Sequence, residues 1–261
     1  MKQRVTTAVI ALIIFIPVII YGHWLIELAG LVLGLIAVNE VLIMKKLILV
    51  SPEAIMADIG VIALIAPLSW FSWLPPQIDR TFVFFLCVLA LLVRTVFSRN
   101  RFTFDDAGSV TLAVTYIGFG FNYFIAARNV GLPMLLYILF VIWSTDSGAY
   151  MIGRRLGKHK LAPHISPNKT WEGSIGGSLL ATVIGTIFLA FYPTQYNFFL
   201  MIVLTLIFSI TGQFGDLVES ALKRHFSVKD SGNILPGHGG IFDRFDSMLL
   251  VLPIVHLFGL I

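Results

Sequence analysis

Asp146, Glu172, Asp216, Glu219, Asp243 and Asp246 lie in the second half of a chain that is otherwise overwhelmingly apolar. Charge at membrane depth is costly, so each of these acids is a candidate for function. Asp243 and Asp246 stand three apart, which on a helix puts both carboxylates on one face. Like charges that close repel unless a cation lies between them, and carboxylate oxygens are hard donors suited to Mg²⁺. The plainer alternative pairs them with Arg244 and Lys229 at a helix start, where the helix dipole favours acids. Asp216, Glu219, Ser220 and Lys223 follow at i, i+3, i+4 and i+7 and make one polar stripe. A lysine reaching out to the interface accounts for Glu219 and Lys223. It leaves Asp216, which lies deeper behind Gly212-Gln213-Phe214-Gly215, as the strongest single metal-ligand candidate.

Two loops carry the chemistry of anion binding. In residues 223–243, Lys223, Arg224 and Lys229 supply positive charge, and Gly237, Gly239 and Gly240 let backbone N–H groups approach a phosphate. A helix then starts close by, which also favours anions. His238, between the glycines, is a candidate phosphate donor or acid/base; a structural histidine is the alternative. In residues 153–172, Arg154, Arg155, Lys158 and Lys160 precede Ser166-Pro167-Asn168-Lys169-Thr170. There Thr170 reads as an N-cap, with Glu172 in the first helical turn. Most of these basic residues also suit anchoring to anionic lipid. Lys169, at the helix entrance, is the best placed for direct phosphate contact. Gly148 to Gly153 has the spacing of a Walker loop but lacks the Lys-Ser/Thr that follows it. A nucleotide would therefore bind at the membrane surface, between loops and helix ends.

The elements that must position these residues follow from composition. The chain has 261 residues, 57% of them hydrophobic and 12% charged, with a mean hydropathy of +0.91. Soluble domains carry about 25% charged residues, so lipid is the solvent for most of this chain. The expected class is an all-α, polytopic transmembrane protein. Nine apolar runs are candidate spans: 5–21, 24–44, 54–74, 81–98, 109–127, 132–152, 171–192, 197–222 and 245–261. Met1-Lys2-Gln3-Arg4 and the run after it read as a retained first helix rather than a signal peptide.

Nine alternating spans with a cytoplasmic N-terminus place Lys2, Arg4, Lys45, Lys46, Arg94, Arg99, Arg101, Arg154, Arg155, Lys158, Lys160, Lys169, Lys223, Arg224, Lys229 and Arg244 on the cytoplasmic side. Only Arg80 and Arg128 fall on the other. That asymmetry supports the segmentation and predicts a site facing the cytoplasm. The basic residues sit in short loops, not on a polar face, which argues against a nucleic-acid partner. The lone cysteine, Cys87, excludes an intrachain disulfide framework. The expected organisation is one integral membrane domain, with residues 1–130 as scaffold and 131–261 carrying the chemistry. Gly30 with Gly34, and Gly173 with Gly177, have the spacing of close helix packing.

The run Ser220-Ala-Leu-Lys-Arg-His-Phe-Ser-Val-Lys-Asp-Ser-Gly-Asn-Ile-Leu-Pro-Gly-His-Gly-Gly-Ile-Phe-Asp-Arg-Phe-Asp246 resembles the signature of phosphatidate cytidylyltransferases (CDP-diacylglycerol synthases). Gly212 to Asp216, Ser166 to Gly173 and Asp146 to Tyr150 resemble the same family. The resemblance is specific over roughly residues 143–250. It implies a homodimeric, Mg²⁺-dependent transferase of membrane lipids, acting on CTP and phosphatidic acid in the bacterial cytoplasmic (inner) membrane. A monovalent cation such as K⁺ beside the Mg²⁺ is left open. On this resemblance Asp216, Asp243 and Asp246 are the metal residues and, with Lys223, the catalytic set. Lys169, Ser166, Arg224, Lys229 and Asp230 join His238, Gly239 and Gly240 as substrate-positioning candidates. Three alternatives stay open: a polyprenol-type lipid kinase, a synthase of CDP-archaeol, and an ion-coupled transporter. A transporter would place its charges near mid-membrane, often within inverted repeats; here they cluster at helix ends.

Overall fold

The computed structural model describes residues 2–75 and 77–261. Met1 and the side chains of residues 2–5 and 8, with the basic positions Lys2 and Arg4, lie outside the described set. The fold is all-α and polytopic, as the apolar runs predict. Its helices are α1 (Lys2–Tyr21), α2 (His23–Met44), α3 (Pro52–Ile65), α4 (Arg80–Phe97), α5 (Phe104–Val130), α6 (Leu132–Leu156), α7 (Trp171–Phe191), α8 (Phe198–His225) and α9 (Phe242–Leu257). Among the described residues, six of these are long and apolar enough to cross a membrane: α2, α4, α5, α6, α7 and α8.

The third expected span is shorter than its apolar run. Ser51 caps α3, its Oγ accepting from Ala54 N at 3.3 Å. The helix stops at Ile65 because Pro67 forces Ala66 out of helical geometry, to ψ 147°. A 3₁₀ turn over Leu68–Phe71 follows. With 14 residues, α3 falls short of the roughly 20 that a crossing needs.

The chain gathers into two compact units. The first is Met1–Ala126 with Val228–Arg244, and the second is Ala127–Ser227 with Phe245–Ile261. The division near residue 130 expected from the sequence thus falls at 126, and the glycine-rich loop groups with the first unit.

In the first unit α2 uses its glycines to approach α3 and α5. A Cβ on Gly30 would lie 2.9 Å from Ile125, and one on Gly34 would lie 2.2 Å from Ile65. Two basic residues at helix ends are paired here, Lys45 with Asp106 at 2.6 Å and Arg94 with Glu53 at 2.7 Å.

In the second unit α6 and α7 pack backbone to backbone. A Cβ on Gly148 would lie 2.9 Å from Gly177 Cα, and one on Gly173 would lie 2.7 Å from Ala149 O. Small residues of this kind let helices meet where lipid gives no hydrophobic drive. The Walker-like glycines of α6 therefore serve packing.

Gly177→Ala tests that contact directly. Its Cβ would fall 2.5 Å from Thr145 O, a backbone atom that cannot rotate away. We expect a loss of about 3 kcal/mol, read as a lower unfolding temperature in detergent. Gly108→Ala on α5, with nothing within 4 Å of its Cβ, should leave that temperature unchanged or slightly raised.

Candidate functional site

The polar stripe of α8 forms as its spacing predicts. Ser220 Oγ lies 3.3 Å from Asp216 Oδ1, and Lys223 Nζ lies 2.6 Å from Glu219 Oε2. Glu219 is 1% exposed, so a lipid-facing stripe does not describe it. Asp246 and Ser247 of α9 come beside this face because Gly215 allows it: a Cβ there would meet Asp246 O at 2.7 Å and Ser247 Cα at 2.8 Å. The result is a cluster of Asp216, Glu219 and Asp246 with one carboxylate oxygen from each within 4.8 Å of the others. Three negative charges at that separation require compensation. Part of it comes from Lys223 on Glu219 and from Lys169, whose Nζ lies 2.6 Å from Asp216 Oδ2.

Lys169 is delivered by a feature that the apolar pattern did not announce. The loop after α6 folds into an antiparallel pair, β1 (Lys160–Ala162) and β2 (Ser166–Thr170). Thr170 then caps α7 as expected, its Oγ1 accepting from Gly173 N at 3.2 Å. Glu172 closes the base of the hairpin. Its carboxylate accepts from Lys158 N at 3.1 Å and His159 N at 3.2 Å, and meets His159 Nδ1 at 2.6 Å. Arg224, at the end of α8, donates to Ile165 O at 3.2 Å and so holds the turn beside Ser166.

A cavity of about 470 Å³ opens here, lined by Asp146, Asn168, Lys169, Gln213, Asp216 and Arg154 among others. Gln213 is oriented from below by Ser178 Oγ, which accepts from its Nε2 at 2.8 Å.

The remaining expected residues belong to the first unit. Lys229 and Asp230 are exposed there. Asp243 Oδ2 accepts three hydrogen bonds, from Ser231 N at 2.8 Å, Ser231 Oγ at 2.9 Å and Gly240 N at 2.8 Å. The Gly240 N–H expected to approach a phosphate is thus engaged inside the loop. Gly239 adopts φ +84°, where a Cβ would fall 2.6 Å from Asp243 Oδ2. His238 N donates to Leu235 O at 2.8 Å, while its Nδ1 is buried with no hydrogen-bond partner among the described residues.

The sequence reading left Glu219 out of the metal set and did not single out Glu40. Glu219 joins Asp216 and Asp246 in the cluster, whereas Asp243 clasps the glycine loop. The i, i+3 spacing of Glu219 from Asp216 was the available signal. Glu40, inside the apolar run of α2, accepts hydrogen bonds from Ser231, Ile241 and Phe242. A carboxylate inside an apolar span announces itself. The reading of residues 1–130 as scaffold passed over it, as it did the bond from Asn39 to Asp58 at 2.8 Å.

The cluster fits a hard cation. Oxygens bound at 2.0–2.6 Å to one ion lie at most about 5 Å apart, and the donor set is wholly carboxylate. The lining of the cavity adds two cationic groups, Lys169 and Arg154.

Comparison with known proteins gives the family. The sequence matches the cytidylyltransferase family over residues 2–261. It is 49% identical to the phosphatidate cytidylyltransferase of Bacillus subtilis (strain 168), covering 98% of this chain and 96% of that one. It is 46% identical to the protein of that name from Staphylococcus haemolyticus (strain JCSC1435), and 43% identical to that from Staphylococcus aureus (strain COL). Both alignments cover 98% of each chain. A family match running from residue 2 to residue 261, with relatives 43–49% identical over nearly the whole chain, leads to one conclusion: the chain belongs to the cytidylyltransferase family.

Proposed function

We propose that this protein is a nucleotidyltransferase that joins CTP to phosphatidate, giving CDP-diacylglycerol and pyrophosphate for phospholipid synthesis. The reading is carried by the likeness, over nearly the whole chain, to relatives named phosphatidate cytidylyltransferase. The cavity beside the carboxylate cluster supports it.

In the proposed step a phosphate oxygen of phosphatidate forms a bond to the α-phosphorus of CTP. The bond from that phosphorus to the oxygen bridging to the β-phosphate breaks, and pyrophosphate leaves with the electron pair. The attacking monoester is already ionised at neutral pH, so the site needs no strong base. Its task is to bring two polyanions together in line. A divalent cation, Mg²⁺ in this proposal, held by Asp216, Glu219 and Asp246 would supply charge neutralisation for the reacting phosphates. Lys169 and Arg154 hold phosphate oxygens from the cavity wall. Asn168 and Gln213 offer amide donors and acceptors to the uncharged part of the nucleotide. Arg224 and the Glu172 clasp fix the hairpin from which Lys169 projects.

A cytoplasmic site is part of the proposal, supported by the bias of basic residues towards the loops around it. So are a homodimer, a monovalent cation such as K⁺ as a second ion, and residence in a bacterial cytoplasmic membrane.

The test is turnover by the purified protein in detergent with phosphatidate, Mg²⁺ and CTP labelled in either the base or the γ-phosphate. Base label in the lipid, with γ-label released as pyrophosphate, is the expected result. γ-Label in the lipid would make it a kinase. No lipid product with several phosphatidates would overturn the substrate assignment.

A further inference from the structure

Glu40 is 1% exposed, and the proposed step gives it no role. Its Oε1 accepts from Ile241 N at 2.8 Å, and its Oε2 accepts from Phe242 N at 2.9 Å. These two N–H groups open α9, where no carbonyl within the helix can reach them. A cap of this kind usually comes from the residue next to the helix; here it comes from a side chain 201 positions upstream of Ile241. Glu40 Oε2 also lies 2.9 Å from Ser231 Oγ, which itself lies 2.9 Å from Asp243 Oδ2.

Two glycines of the loop lie against the same carboxylate. A Cβ on Gly240 would fall 2.3 Å from Glu40 Oε2, and one on Gly232 would fall 2.6 Å from Glu40 Oε1. Backbone and serine thus fold around one buried anion, and the helix that begins there carries Asp246 within its first two turns.

We infer that Glu40 is a positioning residue: it fixes the start of α9, and with it the setting of Asp246 for the cation. The inference rests on the cation site of the proposed function, but its test does not require turnover. Mn²⁺ binding by purified protein in detergent, followed by EPR, reads the site directly.

Glu40→Gln keeps the shape but replaces one acceptor oxygen with an NH2 donor that faces a backbone N–H. The expected result is Mn²⁺ affinity weakened about tenfold, with part of the loss recovered in Glu40→Asp. Turnover at limiting Mg²⁺ should fall by a similar factor and recover at saturating Mg²⁺. A purely structural role would lower the folded fraction and leave the affinity of the folded protein unchanged, which would overturn the inference. If Glu40→Gln yields no folded protein, Ser231→Ala carries the test, with a loss of about threefold expected; unchanged affinity there would also overturn it. Wild-type protein that binds no Mn²⁺ would do the same. Weakened binding in a protein that fails to make CDP-diacylglycerol would sustain the role of Glu40 and reject the substrate assignment.

Discussion

Replacing Asp246 with asparagine is expected to lower turnover about a thousandfold, which corresponds to about 4 kcal/mol of lost transition-state stabilisation. Asparagine retains the size of the side chain and an oxygen able to accept from Ser247 N, now 2.6 Å from Asp246 Oδ1. What it removes is one of three negative charges gathered around a common point. Folding and chemistry should therefore separate. Without metal, less repulsion remains in the cluster, so the unfolding temperature of Asp246→Asn should equal or exceed that of the parent protein. With metal, the parent should gain stability in proportion to occupancy and the variant should not. Thermal unfolding with and without millimolar Mg²⁺, beside the turnover assay, reads both effects. Near-normal turnover in Asp246→Asn would remove this residue from the site. A collapse in metal-free stability would mean that Asp246 is needed for folding instead.

Lys169→Met is expected to reduce turnover about a hundredfold while leaving metal affinity unchanged or tighter. The sign of the second effect is the informative part. Lys169 Nζ lies 2.6 Å from Asp216 Oδ2, so its ammonium occupies the neighbourhood that a cation on Asp216 would take. A metal ion and the lysine compete for that oxygen, and removing the lysine removes the competitor. For the nucleotide the effect is reversed, because a cavity-wall cation that meets phosphate is lost. Lys169→Arg should recover only part of the activity, since a planar guanidinium does not replace a compact ammonium. Separate titrations of Mn²⁺ and CTP would test this. Weaker Mn²⁺ binding in Lys169→Met would show that the lysine organises Asp216 rather than competing with metal.

The boundaries of most helices were legible because a chain in lipid has few choices. Backbone groups must be paired within each segment, so apolar runs such as 24–44 and 171–192 return as α2 and α7 almost residue for residue. The Thr170 cap and the polar stripe of α8 were legible for the same local reason: they depend on contacts three or four residues apart. The shortening of α3 at Pro67 was also written locally, but hydropathy alone hid it.

What sequence could not supply was the choice among carboxylates. By itself it determined an all-helical membrane chain, a phosphate-binding chemistry of lysines, glycines and acids, and a family signature spanning Ser220 to Asp246. Spacing along α9 made Asp243 and Asp246 equivalent partners for a metal. Tertiary structure divided them, giving Asp243 to Ser231 and Gly240 and gathering Asp246 with Asp216 and Glu219. It also brought Glu40 to the start of a helix 202 positions away. Electrostatics and hydrogen bonding act through space over a few ångströms, and periodicity along the chain reports only the neighbours that one helix provides.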